Sequence, residues 1–501
     1  MFTPLVDTLL LFAVATPGIG LLAQRLQRTR LGNRLVGIHA ALGLLAALVV
    51  LLGLYRDVLA HGVLVFMSKV PLMAAIDVCL EVDALSMFMA AVYVFLGFLT
   101  TLYSVKEMED ETGVAGYYAL LLGITGSMIG VVMAGDLFTF FLFWEVMCLC
   151  SYALVAFHKD RWEPIEAGYK YLIMSSAGSL TALFAMTLLY GMTGTLNLAL
   201  LSDAFSGSVG SPWLAVALTL FLTGFGLQAG MAPFHTWLPD AHSAAPAPVS
   251  AILSGAMVMT GVYGLLRVLP LLFTPVLGSW QLIVGVFAVL TMFTGNLMAL
   301  FQDDVKRLLA FSTIANVGYI LVGLATSSLP GLTGSLFQIL NHAVVKALLF
   351  LCAGAFLRQA QTRSLPDLAG GHRTMPVTCT AFLVGVIALV GLPPLNLFWS
   401  EWTILMAGVE AGMLPLSLAM VANLVLSAAY CLRLMQILLF NDETPQSTAA
   451  SEAPAALLLP IGVLATLCIV IGLYPGPVRA LAEDAARAAL NLQAYVNAVL
   501  R

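Results

Sequence analysis

The composition of this 501-residue chain is that of a protein built for lipid: 61% of its residues are hydrophobic, 9% are charged and its formal net charge is -5. A soluble protein of this length carries about a quarter charged residues, and disordered chains and nucleic-acid-binding proteins need polar or basic tracts that this sequence lacks. The composition therefore excludes a large soluble enzyme, a disordered chain and a nucleic-acid-binding protein.

Apolar runs long enough for one bilayer crossing, about 20 residues each, recur along the chain. The first carries Asp7 and lacks a preceding basic region, which favours a retained span over a signal peptide. The predicted spans are 5–23, 35–54, 84–104, 116–134, 137–157, 168–191, 213–233, 246–267, 279–301, 308–327, 331–357, 375–411, 414–440 and 454–474. Since these runs are continuous and too long for barrel strands, the predicted fold is an all-α integral membrane protein with about 14 transmembrane helices.

Lysine and arginine are concentrated in one set of loops, which is therefore predicted to be cytoplasmic, with both termini outside. That set holds Arg25, Arg28, Arg30, Arg34, Lys106, Lys159, Arg161, Lys306, Arg307, Arg358, Arg363 and Arg373. The opposite loops hold only Arg56, Lys69 and Arg267. A prokaryotic inner membrane is the default location, and residues 477–501 are predicted to form an amphipathic surface helix.

Prolines interrupt the seventh and twelfth spans. The seventh runs into Pro233, and the twelfth is split by Gly391, Pro393 and Pro394. Because broken backbone at membrane depth is tolerated only where it is buried or lines a cavity, the breaks favour two inverted five-helix repeats, with simple kinks in a large bundle as the alternative. The predicted organisation is 1–115 (helices 1–3), 116–267 (first repeat, helices 4–8), 268–441 (second repeat, helices 9–13) and 442–501 (helix 14 and the amphipathic segment).

Ionisable residues deep inside a span are costly and are therefore functional candidates. Glu145 lies midway along LFTFFLFWEVMCLCSYALVAF and is expected to face the protein interior. A proton-handling role is favoured there, and a static buried ion pair is the alternative.

His342 and Lys346 are four residues apart in the eleventh span and share one helix face. Together they are candidates for a proton relay, and the alternative is a lysine that satisfies a break in a helix. Glu401 follows the second break, in GLPPLNLFWSEWTIL, where a channel-end role and a helix-cap role are both open.

The run PFHTWLPDAH carries His235, Asp240 and His242. Its prolines prevent one regular helical face, so a loop that lines or seals a cavity is favoured over a metal site. The seven cysteines form no CxxC or Cys/His cluster, which also argues against a metal centre. The charges that open the tenth span are expected to be solvated end charges: Asp303, Asp304, Lys306 and Arg307.

Several separate motifs, spread over roughly residues 80 to 440, resemble one family. The motifs are FFLFWEVM, MAPFHTWLPDAHSAAPAPVSAILSG, DVKRLLAFSTIANVGY and NHAVVKALLF. They are similar to the antiporter-like subunits of respiratory complex I, Mrp-type cation/proton antiporters and membrane-bound nickel–iron hydrogenases. The stretches NHAVVKALLFLCAG and PPLNLFWSEW most resemble the hydrogenase and formate hydrogenlyase branch.

The resemblance implies a subunit that moves protons, or exchanges them for sodium, along a midplane chain of charged residues. It implies that Glu145 is the fifth-span glutamate and that Glu401 is the charged group of the twelfth span. It also implies that His342 and Lys346 are the eleventh-span pair of the hydrogenase-like branch.

The sequence departs from the family pattern at two positions. Gln228 stands where the family usually has a seventh-span lysine, and Met259 stands where it has an eighth-span lysine or histidine. The first change removes the expected cation beside Glu145, and the second leaves an apolar gap toward His342. Either water molecules bridge this apolar gap, or no proton passes across the centre of the subunit.

The leading hypothesis is a non-catalytic, proton-translocating subunit of a complex-I-related redox-driven ion pump, either NADH/quinone oxidoreductase-like or group 4 hydrogenase-like. The predicted proton-translocating residues are Glu145, His342, Lys346 and Glu401. The predicted channel-lining or broken-helix residues are Gln228, Pro233, His235, Asp240, His242, Met259, Pro393 and Pro394.

No cofactor or metal is expected on the chain itself. The expected partners are sister antiporter-like subunits, other membrane subunits and peripheral redox subunits. The alternatives are an Mrp-type Na+/H+ antiporter subunit, a degenerate scaffold that does not conduct, and a stand-alone solute transporter.

Overall fold

A computed structural model describes residues 3–23, 30–69, 77–205 and 211–499. The described helices of the first half are α1 (Pro4–Ala23), α2 (Arg30–His61), α3 (Ala84–Glu107), α4 (Val114–Val132), α5 (Leu137–Val155), α6 (Trp162–Thr193), α7 (Leu198–Phe205), α8 (Pro212–Gln228), α9 (Trp237–Ala244), α10 (Ala247–Ile252) and α11 (Val258–Leu272). Those of the second half are α12 (Leu277–Leu300), α13 (Val305–Thr326), α14 (Leu329–Ala360), α15 (Pro376–Leu389), α16 (Asn396–Glu410), α17 (Leu414–Phe440), α18 (Pro445–Ala449), α19 (Ala455–Leu473), α20 (Gly476–Leu490) and α21 (Leu492–Val499).

Every predicted span coincides with a helix or with a pair of helices. Within the described residues, eleven helical segments are long and apolar enough to cross a membrane. The other predicted spans correspond to α1, to α8, which ends at Gln228 before the predicted span 213–233 does, and to α15 with α16. The chain is therefore an integral membrane protein built from helices, as the apolar runs predicted.

Both predicted helix breaks are present. The seventh span is interrupted between α8 and α9, where Pro233 lies, and the twelfth between α15 and α16, where Pro393 and Pro394 lie. Gly391 has φ +74°, which only glycine adopts readily, and a Cβ at this position would overlap the Glu401 carboxylate. Position 391 at the second break therefore requires glycine for two reasons: its φ is positive, and a side chain would not fit beside Glu401.

The eighth span contains a further irregularity that the sequence did not predict. A π-helical segment, Leu253–Met257, joins α10 to α11. Single π turns inside α-helices occur frequently at functional sites. This segment lies directly before Met259, which is fully buried.

One hairpin is added to the predicted all-helical architecture. Strand β1 (Leu64–Lys69) pairs antiparallel with β2 (Asp77–Val82), with Leu64 opposite Val82. The C-terminal segment forms α20 and α21, and the alanine face of α20 packs against α3, α11 and α14. The hairpin and these helices cover one end of the bundle.

The predicted cytoplasmic loops meet at the other end, called here the basic end. Its ion pairs are Arg30–Asp110 (2.6 Å), Arg34–Glu109 (2.7 Å), Arg358–Glu107 (3.4 Å) and Arg363–Asp304 (3.4 Å). Arg25 and Arg28 lie outside the described residues. Partly exposed ion pairs stabilise a fold only weakly. These pairs do show that the loops lie together at one end of the bundle.

Arg267 is not the loop charge that the sequence predicted. It lies inside α11, where its guanidinium donates to both carboxylate oxygens of Asp83 at 2.7 and 2.8 Å. Both side chains are buried. Burial alone would raise the pKa of Asp83, but the charge of Arg267 together with the hydrogen bonds from Arg267 and Ser86 holds the pKa below its usual value. The pair therefore fastens α3 to α11.

Glu81 in β2 connects the hairpin to the C-terminal helices, because Tyr495 of α21 donates a hydrogen bond to it. Burial raises the pKa of Glu81 to about 7, although this hydrogen bond and the charge of Arg267 oppose the rise. A carboxyl group whose folded pKa is raised favours the folded state most at low pH, and that contribution is lost as the pH rises toward 7.

Candidate functional site

Glu145 lies at the edge of the exposed face of α5 rather than in the protein interior. It is half-buried, and its Oε1 atom is buried without a hydrogen-bond partner. Leu142, Val146 and Leu149 on the same side of the helix are exposed. The expectation that Glu145 faces inward is therefore only partly correct, because α4 and α6 cover the other faces of α5.

Gln228, at the end of α8, is held by neutral groups. Its Oε1 accepts from Ser175 Oγ at 2.8 Å, and its Nε2 donates to Tyr171 OH at 3.2 Å and lies 3.1 Å from Met257 Sδ. Among the described residues, Gln228 makes no hydrogen bond to Glu145. The amide is thus tied to α6 and to the π-helical segment.

The polar groups around Gln228 reach the π-helical segment at the sulfur atom of Met257. Met259 is buried just beyond it and contributes no ionisable group. In the π-helical segment, Ser254 shares a hydrogen bond with Thr313 of α13 at 2.7 Å, so this segment is not wholly apolar, and the predicted apolar gap toward His342 stays a prediction.

Lys346 is fully buried in α14, and its Nζ bonds to α13. It donates to the backbone oxygen of Leu309 at 3.1 Å and to Ser312 Oγ. His342, one turn earlier on the same helix, is fully buried, and neither of its ring nitrogens has a hydrogen-bond partner. The two residues share a face, as their spacing predicted.

A line of buried amides and hydroxyls leads away from Lys346. Asn316 Nδ2 donates to the Ser312 backbone oxygen at 2.9 Å, and Gln338 Nε2 donates to Asn316 Oδ1 at 2.9 Å. Ser400 Oγ donates to Gln338 Oε1 at 2.5 Å. These contacts cross from α13 through α14 to α16.

Glu401 is adjacent to the far end of this line. It is only 3% exposed, and both of its carboxylate oxygens are buried without a hydrogen-bond donor. No lysine, arginine or histidine nitrogen within the described ranges lies within 4 Å of it. The arrangement places a buried amine at the start of a line of hydrogen bonds that ends at Ser400, and a buried carboxyl group on the next residue. These residues are here called the Lys346–Glu401 line (Lys346, Ser312, Asn316, Gln338, Ser400 and Glu401).

The histidines and aspartate of PFHTWLPDAH occupy three different environments. Asp240 pairs with Arg307 at 2.7 Å and with Lys170 at 3.2 Å. His235 is half-buried, whereas His242 is fully buried and stacks on Phe350 with ring centroids 5.0 Å apart. No group of three possible metal ligands occurs among the described residues.

Lys306 was missed by sequence reasoning, which treated it as a solvated end charge. It is 2% exposed, and its Nζ donates to the backbone oxygen of Ala245 at 2.5 Å. The helical period carries no signal for this burial, because α13 is buried on all faces beyond Arg307. Only the contact with Ala245 shows that Lys306 turns inward, whereas Arg307 pairs with Asp240.

A polar cavity of about 820 Å³ opens at the basic end, beside Lys306. Asp240, one of the residues predicted to line a channel, forms part of its wall. His235, Pro233, Pro393 and Pro394 are not among its lining residues.

Over residues 134–427, more than half of its length, the chain matches the family described as NADH:quinone oxidoreductase/Mrp antiporter, TM. The chain belongs to this family. The matched region includes Glu145, the π-helical segment and the whole Lys346–Glu401 line.

Individual relatives agree with that family. NADH-quinone oxidoreductase subunit N of Desulforudis audaxviator is 33% identical over 413 residues, which cover 79% of this chain and 82% of the relative. Hydrogenase-4 component B of Escherichia coli is 36% identical over 427 residues, which cover 79% of this chain and 62% of the relative. A chain of the membrane-bound sulfane sulfur reductase, an archaeal respiratory membrane complex, has a TM-score of 0.89 at 27% identity, with 99% of both chains covered. The resemblance and the helical membrane fold predicted from the sequence are confirmed.

Proposed function

We propose that this chain is a proton-translocating, antiporter-like membrane subunit of a complex-I-related redox-driven ion pump, either NADH/quinone oxidoreductase-like or hydrogenase-like. The observation that carries the proposal is the Lys346–Glu401 line. It places two ionisable groups deep inside the membrane-spanning bundle, and hydrogen bonds lead from Lys346 as far as Ser400, the residue before Glu401. Such buried ionisable groups are expensive, and in membrane proteins they mark ion pathways.

In this proposal, Lys346 receives a proton and the line passes charge to Glu401, which faces the second helix break. His342 adds a second titratable group on the face of Lys346. Glu145 handles protons at the edge of the exposed face of α5, where the residue is half-buried. Gln228 and Met259 carry no charge, so the first half offers no comparable line.

The proposed setting is a multi-subunit assembly in a prokaryotic inner membrane, with the basic end in the cytoplasm and both termini outside. Sister antiporter-like subunits and peripheral redox subunits are the proposed partners, and the redox chemistry belongs to them. The proposed internal organisation is two inverted five-helix repeats, 116–267 and 268–441, each with one broken helix. An odd number of crossings inverts the second repeat.

Three alternatives are supported less well. The relatives named above are components of NADH dehydrogenase, hydrogenase and sulfur reductase systems, which favours a redox-driven pump over an Mrp-type antiporter. Gln228 and Met259 support a non-conducting scaffold for the first half only, because the Lys346–Glu401 line is intact. Membership of this family argues against a stand-alone solute transporter.

The substitution Glu401→Gln tests the proposal. It keeps the shape and polarity of the side chain but removes its ability to exchange a proton. We expect proton translocation by the purified complex in liposomes to fall at least about tenfold, with unchanged subunit composition. Glu410→Gln is the matched control, since Glu410 is exposed at the end of the same helix. Normal translocation by the Glu401 variant would contradict the proposal.

The substitution Glu145→Gln tests the role given to the fifth-span carboxyl group. Because Glu145 lies at the surface of α5 and outside the hydrogen-bonded line, we expect a smaller reduction in translocation, about two- to fivefold, than a variant within the line. Assembly should be preserved, since Gln is uncharged and nearly isosteric. Proton pumping equal to that of the unmodified complex would remove Glu145 from the mechanism.

A further inference from the structure

The basic-end cavity is lined by carboxylates that can exchange protons with water, namely Glu107, Glu111, Asp240, Asp303 and Asp304. Lys306 forms part of the same wall, although its side chain is buried. Among the described residues, no carboxylate oxygen lies within 4 Å of Lys306 Nζ, and its recorded hydrogen bond is to the backbone oxygen of Ala245. The structure thus places an amine that makes no ion pair within 4 Å, among the described residues, between the cavity and the buried interior.

His242 lies next to the hydrogen bond between Lys306 and Ala245. It is three residues before Ala245 on the same short helix, so the Lys306 hydrogen bond is made within one turn of it. Both ring nitrogens of His242 are buried without a hydrogen-bond partner. A histidine with two free ring nitrogens can accept a proton at one and release a proton from the other.

Lys346 follows His242 toward the interior. The His242 ring stacks on Phe350, which is one helical turn from Lys346. Lys346 in turn bonds to Leu309 and Ser312, which lie about 5 and 9 Å beyond Lys306 along the axis of α13. On α13 the contacts of Lys346 lie deeper than Lys306, and on α14 Phe350 lies one turn nearer the basic end than Lys346, so both helices place Lys346 deepest of the three residues.

We propose that protons reach Lys346 from the basic-end cavity through Lys306 and His242, so that the uncharged positions Gln228 and Met259 are bypassed. This inference rests on the proposed function and adds the residues of the uptake route. With this route, the second half of the subunit has its own connection to water at the basic end. It then needs no charged residue from the first half.

The transfer conserves protons and breaks only N–H and O–H bonds. Neutral Lys306 takes a proton from a water molecule or a carboxyl group of the cavity. The resulting ammonium gives one proton to a free ring nitrogen of His242, and the other ring nitrogen releases its proton to neutral Lys346. Each cycle moves one proton inward, and both lysines return to their neutral forms when Lys346 passes its proton along the Lys346–Glu401 line. His242 is left as its other tautomer, and a flip of its ring restores the starting arrangement.

The test uses the intact complex in liposomes, with proton translocation followed by a pH-sensitive dye during electron transfer. Lys306→Met and His242→Phe should each reduce translocation at least about tenfold. Both replacements are apolar and fit buried positions, and phenylalanine retains a ring against Phe350. Lys159→Met is the matched control, since Lys159 is exposed at the same end of the bundle, and it should change translocation less than twofold.

Chemical restoration of the amine separates a relay from a structural role. Lys306→Cys should be inactive, and alkylation with 2-bromoethylamine, which attaches an aminoethyl group to the thiol, should restore at least half of the translocation. Loss of translocation in Lys346→Met with full activity in Lys306→Met would overturn the uptake route but leave the proposed function intact. Full activity in both variants would overturn the proposed function itself, and failure of the alkylated protein to recover would count against the route.

Discussion

Replacing Lys346 by methionine is expected to lower proton translocation by about 100-fold, the loss typical of removing a positioned proton-transfer group. Methionine has a similar length and suits a fully buried site, so the helix should keep its packing. What disappears is the amine that donates to Leu309 and Ser312 at the start of the Lys346–Glu401 line. The measurement is protons moved per electron pair by the intact complex.

A second variant at this position distinguishes a relay from a fixed charge. Lys346→Arg keeps a cation but cannot release its proton at any accessible pH. If Lys346 is a proton relay, this variant should assemble normally and still fail to translocate. Translocation by Lys346→Arg would instead support the alternative in which the lysine satisfies backbone and hydroxyl groups of α13.

Replacing Arg267 by methionine is expected to produce the largest loss of stability, about 3 to 5 kcal/mol in the free energy of unfolding. The reason is that Asp83 would stay buried without its bidentate partner. The Tyr495 ring, 5.8 Å from the guanidinium, would also lose its cation contact, so α21 should loosen. The thermal midpoint of the purified complex and the protease sensitivity of the C-terminal helices report both effects.

The pH dependence of this variant follows from the pKa of Asp83, which Arg267 holds below its usual value. Without Arg267, burial raises that pKa, so protonation at low pH removes the unpaired charge. The deficit should therefore be largest above neutral pH and smaller near pH 5. Arg479→Met, at an exposed position of α20, is the control. An equal deficit at both pH values would contradict an unpaired Asp83 as the cause.

Features that depend on local sequence were predictable. The bilayer requires about 20 apolar residues per crossing, and proline removes a backbone donor wherever it stands, so the spans and both broken helices could be located without coordinates. Lys346, His342 and Glu401 were predicted for the same reason. His342 and Lys346 lie well inside an apolar span, and Glu401 follows the break in the twelfth span, so all three stand out as ionisable residues within membrane-spanning segments.

Residues near helix ends were predicted poorly. The sequence predicts that Lys306 and Arg267 are charges at helix ends or in loops, but both side chains are buried. A long side chain near a helix end can extend to water or turn inward, and the choice depends on the partners that other helices supply. For Arg267 the partner is Asp83, and for Lys306 it is the backbone oxygen of Ala245.

The sequence by itself determined that this protein crosses the membrane many times, that two of its crossings are broken, and which family it belongs to. Only the tertiary structure decided which polar groups meet. Ser312, Gln338 and Ser400 come from three helices, and the exposure of Glu145 depends on which faces of α5 its neighbours cover. The physical reason is that depth in the bilayer is a property of one segment, whereas hydrogen bonds between helices depend on their mutual rotation and packing.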